Sequence, residues 1–79
     1  MATRRVTLIF PQELIKEPVI YLMAKECSVI PNIRRAKITE TIGEVTLELQ
    51  GTEGDLERGI VYLKKRGVKI EPVEGDILT

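Results

Sequence analysis

The sequence contains no histidine and a single cysteine, Cys27. Without histidine the commonest general base and a favoured metal ligand are missing. One thiol cannot close an internal disulfide, and no cysteine cluster is present to hold zinc or an iron–sulfur centre. There is no Gly-x-Ser-x-Gly element, no Cys–His pair and no paired carboxylates in an evident cleft, so an enzyme is not expected. A Gly-x-x-x-x-Gly-Lys loop is also lacking, which excludes an ATPase within these residues. Aromatics are scarce: two tyrosines and one phenylalanine are too few for a platform on which bases stack. Lys+Arg and Asp+Glu are both 12, so the formal net charge is zero and the broad basic footprint of a nucleic-acid binder is absent. No apolar run approaches the ~20 residues of a membrane span, and "MATRRV" lacks the apolar core of a signal peptide. A lone thiol without an export signal suits a reducing cytoplasm. No cofactor and no membrane insertion are expected.

What remains is a chain of 79 residues, the size of one domain. Its expected core covers about 4–73, with a tail at 74–79. A domain this small buries only about 60–65% of its unfolded surface. With disulfides and metals excluded, oligomerisation is the remaining aid to stability. Cys27 reads as a small core residue more readily than as a reactive thiol.

Two periodicities organise the chain. "RRVTLIF" alternates, with Val6, Leu8 and Phe10 on one face, and predicts strand one. Pro18 suits a helix start, and Val19, Ile20, Met23 and Cys27 recur at helical spacing, predicting a helix over Pro18–Cys27 after an irregular turn. Strand two is expected over Val29–Ile42, with Gly43 making the turn into "EVTLELQ", strand three, where Val45, Leu47 and Leu49 face inward. Thr52 caps a second helix, with Asp55 three residues on in a capping-box-like spacing. Leu56, Gly59, Ile60 and Leu63 form its inner stripe, Lys64, Lys65 and Arg66 its last turn, and Gly67 its stop. "VKIEPV" is strand four, with Pro72 marking an edge. The order βαββαβ predicts an α+β, ferredoxin-like sandwich. It has a four-stranded antiparallel sheet, strands one and three in the middle, and two helices on one face. The open face then carries Thr7, Ile9, Thr46, Glu48, Lys69 and Glu71.

Strand two breaks this regularity. Ile33 has odd parity whereas Ala36, Ile38 and Ile42 have even parity, so no single register buries them all. A bulge near Arg34–Arg35 reconciles them, and Pro31 cannot donate in a central ladder. The strand is therefore expected at an edge. Asn32 reads either as a turn residue with a local hydrogen bond or as a ligand contact. The arginine pair reads either as an edge guard, as a partner for Glu44 and Glu48, or as a clamp for a carboxylate.

The element order, the passage "PVIYLMAKECSVIPNI" and the closing "GIVYLKKRGVKIE" together resemble the NIL domain, from about Val6 to Glu71. This ferredoxin-like module is found at the C-terminus of the ATP-binding subunits of methionine importers and fused to bacterial ferredoxins. Its namesake Asn-Ile-Leu triplet stands here as Asn32-Ile33-Arg34, with a cation in place of leucine. "NIRRA" is closer to the ferredoxin-linked branch. The resemblance implies a non-catalytic regulatory domain that senses an amino acid such as methionine as a homodimer. It implies a ligand site at Pro31, Asn32, Ile33, Arg34 and Arg35. The alternative it leaves open is an interaction module docking onto a ferredoxin or a transporter subunit.

Overall fold

The computed structural model describes residues 1–73. The elements are β1 (Ala2–Phe10), a 3-10 turn (Gln12–Leu14), α1 (Val19–Cys27), β2 (Ile30–Ile38), β3 (Gly43–Gly51), α2 (Glu53–Arg66) and β4 (Lys69–Pro72). The sheet runs β2-β3-β1-β4, with every neighbouring pair antiparallel. The ferredoxin-like α+β arrangement expected from the periodicities is therefore present, with β1 and β3 central. The expected tail at 74–79 lies outside the described residues.

Pairing sets the core. Val6 sits opposite Leu47 and Leu8 opposite Val45, so their side chains share one face of the two central strands. Both helices cover that face: Val19, Met23 and Cys27 of α1 and Leu56 and Leu63 of α2 join the same buried cluster. Leu8, Leu47, Leu49, Met23 and Leu63 lose all solvent contact. Each such side chain contributes about 1.5–3 kcal/mol through burial. Cys27 is a buried free thiol within this cluster, filling space as a small apolar residue.

Helix ends follow local chemistry. Thr52 Oγ1 accepts from the Asp55 N–H at 3.0 Å and satisfies one open donor of α2. The Asp55 carboxylate turns to Arg58 at 2.7 Å, so the Thr52–Asp55 spacing yields a one-way cap and not a reciprocal box. Gly67, at φ 100°, ends α2 in the left-handed region, and the Val68 N–H reaches back to the Leu63 carbonyl at 3.0 Å. Pro18 stands one residue before α1, at the cap position, and not within its first turn.

The β2–β3 connection corrects the expected boundary. β2 ends at Ile38, not Ile42, and the turn is Thr39–Ile42, not Gly43. Thr39 builds it: its hydroxyl accepts from the N–H groups of Thr41 at 3.2 Å and Ile42 at 2.9 Å, and its own N–H donates to the Ile42 carbonyl at 2.8 Å. Gly43 instead opens β3, buried opposite Phe10 and Ile38. A Cβ there would come within 3.0 Å of Ile15 Cγ1 and 3.1 Å of Phe10 Cβ, so close approach requires the glycine.

Candidate functional site

Strand β2 is the long outer strand of the sheet, and its register explains its sequence. Pro31 pairs with Leu49 and Ile33 with Leu47; then the register shifts, and Arg35 pairs with Thr46, Ala36 with Val45 and Ile38 with Gly43. Arg34 is the extra residue of a bulge, as the parity conflict required. The bulge returns Ile33, Ala36 and Ile38 to one face, the side that carries the helices. It also puts both arginines opposite Thr46, on the uncovered face. Ile42, counted with the strand in the sequence, belongs to the turn.

The five residues singled out in the sequence therefore do not converge. Pro31 and Ile33 lie on the helix side. Asn32, opposite Glu48, lies on the open face with Arg34 and Arg35. The Asn32 side chain makes no hydrogen bond among the described residues, and the local turn contact is not formed. Glu48 is engaged from the other side: Arg5, its partner in β1, reaches it at 2.7 Å. The Arg5 guanidinium holds the Glu48 carboxyl below its ordinary value of 4.5; burial opposes this, and Arg34 adds a weaker favourable field. Neither arginine of the pair, nor Lys37, forms an ion pair with a described residue.

A concavity with mostly apolar walls lies on the helix side. A cavity of about 240 Å³ opens between the turn preceding α1 and the hairpin end of β2 and β3. Phe10, Ile15, Val19, Ile20, Tyr21 and Ile38 line it, with Glu17 on its rim. Its volume falls below the ~300–1,000 Å³ of drug-sized sites, which suits a ligand as small as an amino acid. α1 starts here with no side-chain cap and no acidic residue in its first turn. Val19, Ile20 and Tyr21 of its first turn line the cavity, with the Val19 N–H already given to the Glu17 carbonyl at 2.8 Å, and the positive end of the helix favours an anionic group nearby. An apolar wall, a helix N-terminus and one carboxylate are the complement of a zwitterion with an apolar side chain. No local spacing in the sequence marks this site, because residues from separate segments build it. The exposed Tyr21 on the otherwise apolar start of α1 was the available signal.

Apolar exposure gathers around the same strand. Ile30, Ile33 and Ile38 of β2 are 52, 58 and 59% exposed, and Tyr21 and Ile42 are exposed beside them. The helices cover β1 and β3, and β2 projects past them. Ile33 and Ile38 share the helix side, where Tyr21 lines the same cavity as Ile38, and Ile30, opposite Gln50, lies on the open face.

Comparison with known proteins agrees with the architecture. The NIL domain family model matches residues 4–72. The chain is 33% identical over 73 residues to a Listeria innocua protein named methionine import ATP-binding protein MetN 1, covering 87% of this chain and 22% of that one. A Bacillus cereus protein of the same name is 30% identical over 70 residues, covering 84% and 20%. The chain thus spans about a fifth of the length of these relatives. The crystal structure of the C-terminal domain of an ABC transporter/ATP-binding protein from Enterococcus faecalis superposes with a TM-score of 0.81 at 27% identity, covering 92% of this chain and 86% of that one. With its element order, its Asn32-Ile33 dipeptide at the start of an outer strand and a family match over nearly all described residues, the chain belongs to the NIL domain family.

Proposed function

We propose that this domain is a non-catalytic regulatory module of a methionine importer, acting in the cytoplasm as a homodimer that binds an amino acid, methionine first among candidates. The observation that carries the reading is the apolar cavity at the uncapped start of α1. The importer names of the relatives supply the ligand's identity. The thioether side chain occupies the cavity beside Ile38 and Tyr21. The carboxylate faces the first turn of α1, and Glu17 receives the ammonium group. Asn32 lies on the opposite face of β2 from this cavity. A single ligand touches both only when a second copy supplies the asparagine, and that is the reason a homodimer belongs to the reading.

Calorimetry and thermal shift with the twenty amino acids test it. Methionine is expected to release or absorb heat and to raise Tm, by about 2.7 kcal/mol of added stability at a hundredfold excess over Kd. Ile38→Lys, which places a charge in the cavity wall, is expected to abolish that response while the domain stays folded. Asn32→Ala is expected to weaken binding and to lower the dimer fraction measured with ligand by light scattering. Absence of heat and of any Tm change with all twenty would overturn the proposal.

A further inference from the structure

Two concavities meet at one side chain. The apolar cavity at the start of α1 has Phe10, Gly43 and Val45 in its wall. A second, polar groove of about 780 Å³ lies between the 3-10 turn and the β2–β3 turn, with Gln12, Glu13 and Lys16 on one bank and Thr39 and Glu40 on the other. Ile15 lines both. It is half-buried, yet it is not among the described residues that pack on the core cluster. Its seat is Gly43: a methyl group there would come within 3.0 Å of Ile15 Cγ1 and 3.6 Å of its Cδ1, so Ile15 rests where a side chain at 43 would stand. The turn holds it in place. The adjacent Leu14 does pack on the core, and the Ile15 N–H donates to the Gln12 carbonyl at 3.3 Å, between Pro11 and Pro18. A β-branched side chain on such a turn makes a stiff partition.

We infer that Ile15 sets the length of the apolar side chain that the cavity accepts, and is thereby its specificity-determining residue. This role rests on the cavity being the amino-acid site proposed above. Up to the Ile15 wall, each methylene of a ligand exchanges water for apolar contact. A longer chain must press on an isoleucine already seated against Gly43, or turn into a groove whose walls are carboxylates, an ammonium, an amide and a hydroxyl. Neither course repays the extra length, so affinity rises along a series of side chains and then breaks. Tyr21 and Ile38 do not set such a limit, because at 62 and 59% exposure they yield to solvent and not to a fixed neighbour.

Calorimetry with methionine, L-norvaline, L-norleucine, L-2-aminoheptanoate and L-2-aminooctanoate locates the break. In the unaltered protein each methylene before it is expected to tighten binding about fourfold, and the first beyond it to weaken binding about tenfold or more. Ile15→Ala is expected to move the break to a side chain at least one methylene longer. Ile15→Val, which removes a single methyl group, is expected to relieve the first over-long ligand by about fourfold. Ile38→Ala truncates an exposed wall of the same cavity by as much, and is expected to weaken the whole series by a similar factor with the break in place. A break unmoved by Ile15→Ala and unrelieved by Ile15→Val, or one that Ile38→Ala moves equally, would overturn this role while methionine binding by the unaltered protein upholds the amino-acid site. If the unaltered protein binds none of these ligands, the site and the role fall together.

Discussion

β2 and β3 are the two arms of one hairpin, each nine residues long, and their side chains meet opposite fates. In β3 every second residue from Gly43 to Gly51 is buried. In β2 every residue except the half-buried Pro31 is exposed, although Ile33 and Ile38 share a face with Leu47 and Gly43. The sequences alternate on the same side of the same sheet. The difference is position: β3 lies under the helices between two strands, and β2 lies outside them. One arm is fixed by folding, and the other keeps its side chains in solvent.

Single-residue deletion probes this contrast most strongly. Removing Arg34 leaves a regular strand, because Ile33 and Arg35 already pair with the adjacent Leu47 and Thr46. Stability by urea unfolding is expected to change by no more than about 1 kcal/mol. Removing Glu48 shifts Leu49 and Gly51 to the wrong face and breaks pairing with both β1 and β2. Loss of the cooperative transition is expected. If the Arg34 deletion unfolds the domain as well, the two arms are equally constrained and the contrast fails.

A smaller effect separates the arms by burial alone. Leu47→Ala, at a site with no solvent exposure, is expected to cost about 2–5 kcal/mol. Ile33→Ala, directly opposite it, is expected to stay within about 0.5 kcal/mol in the monomer. The comparison sharpens if Ile33→Ala weakens dimer affinity while leaving the urea midpoint in place.

The smallest expected effect is a pH dependence. Arg5 lowers the Glu48 pKa in the folded state, so this carboxylate adds stability above its ordinary 4.5. That contribution is lost as pH falls through the lowered folded value. Glu48→Gln should flatten the acid limb of a stability–pH curve without altering it near neutrality in shape. An unchanged acid limb would mean that the ion pair across β1 and β3 contributes nothing to folding.

The fold was readable because β1, β3 and both helices keep their periods without interruption. The bulge was readable too, from the parity of Ile33 against Ala36 and Ile38, although the strand leaves all three exposed. The hairpin turn was not. Thr39-Glu40-Thr41-Ile42 carries no glycine or proline, and a side-chain hydroxyl makes the turn that a special backbone residue usually makes. Gly43 attracted the assignment although it is needed for a tight approach to Ile15 and Phe10. The candidate cavity was unreadable for a different reason. Phe10, Ile15, Tyr21 and Ile38 are brought together by topology, and no local spacing relates them.

Gly59 has a consequence for how such a chain can vary. A methyl group at this position would lie 3.1 Å from Met23 Sδ and 3.4 Å from Val29 Cγ2. The glycine thus acts as a gauge for the spacing of the two helices, and the methionine beneath it is the adjustable half of the fit. Homologues that carry alanine at position 59 should carry a shorter side chain at 23, so that the two positions change together or not at all.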